Sequence, residues 1–335
     1  MRRRDWIAWD GYAPWRDTVV ACRREFEKVV LSFGLIPWLI PPARREDIAL
    51  LYCFCRRLDD EVDEAPDGHA ARTALEAARA ELAGTAPARP LIAAFHAMAV
   101  RNALPLECAR HLLDGMQGDL GPVRVPDDAE LIRYSYRVSA AVGQLLSPLL
   151  GIRDREALVR AVDLGLGLQV SNILLGVVAD AAKDRVYLPA TRLAAHGLDH
   201  DAVLADPASP RLTPVKAELA ALAETLYRSA ELGASRTPYR YRHGIMLLGR
   251  VYGGMGRAIV ADPAAPTQPL HLGWPTRLAR LVEVLVRGFH PEVLGLTTPT
   301  PHDPTLHTAI AGWPGVDPRA EAARAYGTVP ARPSL

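Results

Sequence analysis

The feature that most constrains this chain is an apolar helical run that ends in a dense group of acids. Residues 48–58 are mostly apolar. Five acids follow within six residues: Asp59, Asp60, Glu61, Asp63 and Glu64. At about 100° per residue, Asp59 and Asp63 share one helix face, one turn and about 6 Å apart. Like charges at this spacing repel each other and destabilise the helix, and the negative end of the helix dipole destabilises it further. Carboxylate oxygens suit Mg²⁺, which would offset the repulsion; a solvated helix end is the alternative.

Most of the chain shows apolar residues at three- and four-residue spacing, without sustained β-type alternation. This spacing predicts an all-α chain. The predicted helices span 15–34, 43–64, 69–84, 88–103, 105–117, 127–150, 154–182, 212–234, 240–262 and 274–290. The segments between them are too short to link separate domains. We therefore expect one all-α domain over residues 1–295 and a Pro-rich, poorly ordered tail over residues 296–335.

Composition excludes several classes of protein. A net charge of +1 over 335 residues gives no sign of nucleic-acid binding. The most apolar window, Val29 to Ile40, is too short to span a bilayer, which predicts a soluble or peripheral protein. The four cysteines, Cys22, Cys53, Cys55 and Cys108, lack a metal-binding pattern and are typical of reduced core residues in a cytoplasmic protein. The histidines, His302 and His307 among them, show no metal-ligand spacing.

A second informative stretch is the very apolar segment 163–180. It carries one stripe of polar or side-chain-less residues at helical spacing: Gln169, Asn172, Gly176 and Asp180. Such a stripe usually lines a site. The alternative is that the polar side chains hydrogen-bond to neighbouring helices and that Gly176 permits close packing.

Together the two stretches resemble the squalene/phytoene synthase family, the head-to-head prenyl synthases, and the phytoene synthase branch in particular. The main motifs are Tyr52-x-Phe54-Cys55-Arg56-x-x-Asp59-Asp60-x-x-Asp63, Gln169-x-Ser171-Asn172-Ile173 and Arg185-x-Tyr187-Leu188-Pro189. Supporting matches are Ser32-Phe33, Arg45, Asp114-Gly115-Met116-x-x-Asp119, Tyr134-x-Tyr136-Arg137-Val138 and Gly249-Arg250-Val251-Tyr252. The resemblance covers roughly residues 15–262.

The resemblance implies a terpenoid-synthase fold, a single bundle of antiparallel helices around an apolar cavity with two aspartate-rich motifs at its mouth. It implies Mg²⁺, with Mn²⁺ as an alternative, bound by Asp59, Asp60, Asp63, Asn172 and Asp180. It implies substrate contacts from Ser32, Phe33, Arg45, Tyr52, Arg56, Gln169, Asn172, Lys183 and Arg185. It also implies catalytic roles for Asp59, Asp63 and Tyr252.

The implied reaction condenses two geranylgeranyl diphosphates to phytoene through a cyclopropylcarbinyl diphosphate, as in carotenoid biosynthesis. A squalene-type reaction on farnesyl diphosphate is the alternative. Substrates and product of this kind also imply peripheral association with the inner face of the membrane.

The second motif departs from the family pattern Asn-x-x-Arg-Asp-x-x-Glu-Asp. This chain keeps Asn172 and Asp180 but has Leu175, Gly176 and Ala179 in place of the arginine, the central aspartate and the glutamate. Losing a metal ligand usually costs orders of magnitude in affinity or rate. Two further hypotheses follow: a one-diphosphate enzyme, either a cyclase or a lyase, and a non-catalytic relative that keeps the fold.

Overall fold

The computed structural model describes residues 10–32, 40, 44–262, 279, 282–284, 286–297 and 300–316. Its longer helices are α1 (Arg16–Ser32), α2 (Arg45–Asp63), α3 (Gly68–Ala83), α4 (Pro90–Asn102), α5 (Leu106–Gly118), α6 (Asp128–Ser135), α7 (Ala141–Leu149), α8 (Arg155–Ala181), α11 (Thr213–Leu232) and α12 (Tyr239–Ala261). The shorter ones are α9 (Ala190–Ala195), α10 (His200–Ala205) and α13 (Pro291–Leu294). Within the described residues, 3-10 helices span Asp10–Trp15, Pro210–Leu212, Ala234–Arg236 and Pro304–Ile310, and a π-helical turn, Tyr136–Ala140, joins α6 to α7.

The predicted all-α fold is confirmed, because the described helices follow the apolar periodicity closely. Several begin where an aspartate side chain accepts backbone N–H bonds, as Asp67, Asp127 and Asp154 do. Helix α3 ends at Gly84, whose φ of +74° is a left-handed conformation that glycine adopts without strain. The described residues also include one pair of two-residue parallel strands, β1 (Val123–Arg124) and β2 (Arg185–Val186).

Helix α8 lies at the centre of the packing. It makes its most extensive contacts with α11 and also packs against α12 and α7. Helix α8 also lies close against the π-helical turn, which is possible because Gly165 has no side chain. A Cβ on Gly165 would lie 2.4 Å from the Cα of Ala140 in that turn. Its length and apolar composition would allow α8 to cross a membrane, but over half of its apolar window is buried inside the bundle. Its apolarity is therefore accounted for by core packing.

The C-terminal segment differs from the prediction of a poorly ordered tail from residue 296. Residues 300–316 pack against the bundle, and the backbone carbonyl of Pro314 accepts a 2.7 Å hydrogen bond from the Tyr136 hydroxyl. The ring of Trp313 stacks on His111 with 4.3 Å between centroids. The segment lacks sustained helical periodicity, yet Leu306, Ile310 and Trp313 pack into or against the main apolar core. Residues 317–335 lie outside the described part.

Candidate active site

The acidic end of α2 is positioned by the buried face of the same helix. Leu50, Phe54 and Leu58 recur at four-residue spacing and are almost fully buried. Phe54 stacks on Phe95 of α4 with the ring centroids 3.8 Å apart. This packing fixes the rotation of α2, so that Asp59 emerges on the opposite side with half of its side chain exposed.

The carboxylates at the C-terminal end of α2 repel one another. Partial burial raises the pKa of Asp59, and the charge of Asp63 raises it further. Arg56 and Lys183 act in the opposite direction. The Arg56 guanidinium lies 2.7 Å from Asp60 Oδ1 and 3.6 Å from Asp59 Oδ2. Lys183 follows the C-terminus of α8, and its charge lowers the pKa of Asp59, so the residues just after α8 lie within electrostatic reach of the end of α2.

The end of α8 places its polar stripe beside this cluster. Ile173, Leu174 and Val177 face the core. Gln169 and Asp180 are half-buried, and Asn172 is exposed. The chain then turns through residues 182–184, and β2 pairs with β1. This turn carries Lys183 and Arg185 back towards the acids.

Gly176 changes the shape of this stripe. A Cβ built on Gly176 would lie 2.8 Å from Asp180 Oδ2, so the Asp180 carboxylate lies over the position that a larger residue would occupy. Burial raises the pKa of Asp180 to about 6, and the charge of Asp119 contributes. Arg185 and Lys183 lower it. The surroundings of Asp180 are largely apolar and include Ile173, Val177, Val186, Leu188 and Val203.

Asp119, at the C-terminal cap of α5, connects the two motifs. Its carboxylate accepts hydrogen bonds from the hydroxyls of Tyr134, at 3.0 Å, and Tyr187, at 2.7 Å. The two tyrosine rings stack at 4.7 Å, and Arg185 donates to the Asp119 backbone carbonyl at 2.7 Å. Burial raises the pKa of Asp119, with a smaller contribution from Asp63. We did not predict Asp119, Tyr134 or Tyr187 as site residues, although all three fall within the motifs that carry the resemblance.

The aromatic residues predicted for the site lie on two sides of it. Tyr52, one helical turn before Arg56, packs on Phe26 of α1 with 5.5 Å between ring centroids. Tyr252 of α12 is partly buried against the apolar cluster around α8 and α11, which also contains Tyr227. Burial raises the pKa of both Tyr52 and Tyr252. Neither hydroxyl is ionised at neutral pH, so both rings offer neutral aromatic surface.

Arg45 lies apart from the acidic cluster, and its contact with substrate stays a prediction. It is exposed at the N-terminus of α2, and the 14 residues to Asp59 correspond to about 21 Å along the helix axis. An arginine side chain cannot span that distance. Ser32 ends α1, but its side chain is not among those described, and Phe33 lies outside the described residues.

The acids present fit a divalent cation. The charge of Asp63 raises the pKa of Asp59. The side-chain oxygens available here are the carboxylates and the amide of Asp59, Asp60, Asp63, Asn172 and Asp180. Hard cations such as Mg²⁺ prefer such oxygen donors, and a diphosphate completes their coordination. Beside the acids stand Arg56, Lys183 and Arg185. Oxygen donors and cationic side chains together can bind a metal and a diphosphate.

Comparison with known proteins shows which family this chain is similar to. The family model described as squalene/phytoene synthase matches residues 27–280. The phytoene synthase of Rhodobacter capsulatus is 35% identical over 243 residues, covering 71% of this chain and 72% of the relative. The 15-cis-phytoene synthase of Enterobacter agglomerans is 34% identical over 265 residues, covering 75% and 89% respectively. The crystal structure of a dehydrosqualene synthase in complex with ligand superposes with a TM-score of 0.70 at 22% identity, covering 83% of this chain and 99% of that one.

Proposed function

We propose that this chain, which belongs to the squalene/phytoene synthase family, condenses two prenyl diphosphates head to head. The substrate is geranylgeranyl diphosphate and the product is phytoene. The observation that supports the proposal is the mutual influence of charges at the ends of these helices. The charge of Lys183, just after α8, lowers the pKa of Asp59 on α2, and the charge of Asp63 raises the pKa of Asp119, whose backbone carbonyl accepts a hydrogen bond from Arg185. These influences support one shared site at the C-termini of α2 and α8. The phytoene synthase relatives support the choice of substrate.

The family uses divalent metal ions in catalysis, and we propose Mg²⁺, with Mn²⁺ as a substitute. Asp59, Asp60 and Asp63 would hold it at α2, and Asn172 and Asp180 at α8. Bound there, the metal would neutralise charge on the diphosphates as they leave. Arg56, Lys183 and Arg185 supply further positive charge on the protein side, as donors to phosphate oxygens.

In the first half of the reaction, one diphosphate leaves and the 2,3 double bond of the second substrate attacks the resulting allylic cation. Loss of a proton gives a cyclopropylcarbinyl diphosphate. In the second half, that diphosphate leaves, the carbon skeleton rearranges, and loss of another proton gives the hydrocarbon. No reductant is required. Both cations must be kept from water, and the neutral rings of Tyr52 and Tyr252 suit that task because aromatic faces stabilise cations.

Asp119 is proposed as a positioning residue rather than a metal ligand. Both carboxylate oxygens already accept hydrogen bonds from tyrosines, and its backbone carbonyl orients Arg185. Its negative charge lies close enough to Asp63 and Asp180 to raise the pKa of Asp180. In this role Asp119 would hold Arg185, in β2, and Tyr187, just after β2, in place.

The proposal predicts the product of a defined incubation. Purified protein with Mg²⁺ and geranylgeranyl diphosphate should form a C40 hydrocarbon without added reductant, and farnesyl diphosphate should give less C30 product. Chromatography of the solvent extract measures both. A preference for farnesyl diphosphate would reassign the chain length but keep the reaction. Absence of both hydrocarbons would refute the proposal.

Gly176 favours a second candidate, an enzyme that ionises a single diphosphate. With Leu175, Gly176 and Ala179 in the second motif, α8 offers Asn172 and Asp180 on the stripe where the family pattern has more acids. Such an enzyme would release one diphosphate per substrate and yield a C20 or C15 product. Retention of the complete first motif argues against a non-catalytic relative.

We also propose a cytoplasmic protein that associates peripherally with the membrane. Val282, Val286 and Phe289 are exposed at helical spacing, and Phe289 and Leu296 each expose about three quarters of their surface. This apolar stripe should bind lipid, since exposed apolar patches mark interaction surfaces. Phe289→Ser should weaken co-sedimentation with phospholipid vesicles several-fold, whereas Val100→Ser on α4, at an isolated exposed valine, should not. Equal sedimentation of both variants would contradict this proposal.

A further inference from the structure

A second cluster of titratable side chains lies far from the mouth of the bundle. Asp163 precedes Asp180 by 17 residues on α8, about 25 Å along the axis. Its Oδ2 accepts a hydrogen bond from Ser229 Oγ at 2.6 Å and meets His302 Nε2 at 3.0 Å. Its Oδ1 meets His307 Nε2 at 2.7 Å. The cluster therefore joins α8, α11 and the C-terminal segment 300–316.

The carboxylate of Asp163 is a fully buried anion. Its side chain has no exposed surface, and within the described residues it forms ion pairs with His302 and His307. A buried charge requires a compensating positive charge. Either the imidazoles carry it as protons or a cation binds between them.

The donor set selects the class of cation. Two imidazole nitrogens and a carboxylate oxygen lie within 4.8 Å of one another. Imidazole together with carboxylate suits Zn²⁺ and similar transition metals, whereas Mg²⁺ prefers oxygen alone. Ligand distances of about 2.0–2.2 Å from Zn²⁺ are reached by small side-chain movements from this arrangement.

We propose that Asp163, His302 and His307 bind one Zn²⁺ ion. The ion fastens residues 300–316 to α8, since both histidines come from that segment and lie on either side of Pro304. A neighbouring side chain joins the same three elements: the buried Arg160 guanidinium of α8 donates to the Ser229 carbonyl of α11 at 3.0 Å and to the carbonyl of Thr300. The site is structural and does not take part in prenyl transfer.

The decisive variant is His302→Gln. A glutamine amide retains an N–H donor near the position of Nε2, so a purely hydrogen-bonded cluster should survive the change, whereas a metal site loses an imidazole ligand. The matched control is His196→Gln, at a partly exposed histidine whose Nε2 meets Glu218 at 2.7 Å. Both variants should remain folded, as judged by their helical circular dichroism.

Full-length protein treated with EDTA and then kept in excess Mg²⁺ should bind one Zn²⁺ per chain by calorimetry. Co²⁺ in its place should give visible absorption bands of an imidazole-bound ion. His302→Gln should weaken Zn²⁺ binding at least about 100-fold, and His196→Gln should leave it unchanged. Zn²⁺ should raise the melting temperature of the unmodified protein and not that of His302→Gln. Absence of stoichiometric binding, or equal affinity in His302→Gln, would overturn the proposal and leave a proton-only network.

The same titration in an Asp59→Asn, Asp63→Asn background separates this site from the mouth. Zn²⁺ binding with unchanged stoichiometry and affinity in that background supports the Asp163 site. Loss of binding there would place the ion at the α2 acids and refute the assignment. Neither result depends on prenyl transfer, so the outcome is independent of the proposed function.

Discussion

Asp59→Asn and Asp63→Asn should each reduce kcat/KM at least about a thousandfold, equivalent to roughly 4 kcal/mol of transition-state stabilisation. Each substitution keeps the size of the side chain and removes one anionic oxygen donor from the end of α2. Folding should not suffer. Because partial burial and Asp63 raise the pKa of Asp59 in the folded protein, ionisation of Asp59 opposes folding at neutral pH. The melting temperature of Asp59→Asn should therefore stay the same or rise.

The matched control is Glu61→Gln. Glu61 lies between the two aspartates in sequence but on the opposite side of α2, where its carboxylate meets Arg89 Nη1 at 2.6 Å. A surface pair of this kind contributes about 0–1 kcal/mol, so activity should remain within a few-fold of the unmodified protein. If Asp59→Asn kept near-normal turnover, or if Glu61→Gln lost as much, the metal assignment at α2 would be wrong.

Restoring the family pattern with Leu175→Arg, Gly176→Asp and Ala179→Glu should raise the rate of hydrocarbon formation at least about a hundredfold, since even the outer-shell partners of a metal site typically contribute about 10–100-fold. The three positions lie on the side of α8 that already carries Asn172 and Asp180. A Cβ introduced by Gly176→Asp would collide with Asp180 Oδ2, but that oxygen ends a flexible side chain and can move aside. Initial rates with geranylgeranyl diphosphate at saturating Mg²⁺ measure the effect.

Gly176→Ala isolates the steric part of this change. The alanine methyl displaces the Asp180 carboxylate and supplies no oxygen in return, so activity should fall. At the same time alanine favours the helix by about 1 kcal/mol, so stability should rise.

A triple variant no more active than the unmodified protein would show that the site needs no acid at position 176. Asp180 lying over Gly176 would then be sufficient.

The order and limits of the long helices could be predicted from sequence because their apolar periodicity and caps are local. Helix α2 is the clearest example: its buried Leu50, Phe54 and Leu58 recur every four positions, and this spacing also determines where Asp59 and Asp63 emerge. The polar stripe of α8 was predicted in the same way. The metal and substrate roles of these residues remain predictions, since they rest on the resemblance and on the geometry together.

The remaining features depend on contacts between distant segments, which periodicity does not report. The Asp119 carboxylate is held by hydrogen bonds from Tyr134 and Tyr187. Tyr187 directly follows β2, so its position depends on the pairing of β1 with β2. Arg45 matched a family position, yet the length of α2 separates it from the acids. His302 and His307 show no ligand spacing with each other, and Asp163 completes their cluster from a much earlier part of the sequence.

The central claim is that the ends of α2 and α8 form one site that carries both diphosphate departures. The most direct test is the ratio of diphosphate released to hydrocarbon formed by the unmodified protein with geranylgeranyl diphosphate and Mg²⁺. We predict two diphosphates per C40 hydrocarbon, with no C20 product accumulating. One diphosphate per C20 product, with no C40 hydrocarbon, would contradict the claim and establish an enzyme that ionises a single diphosphate.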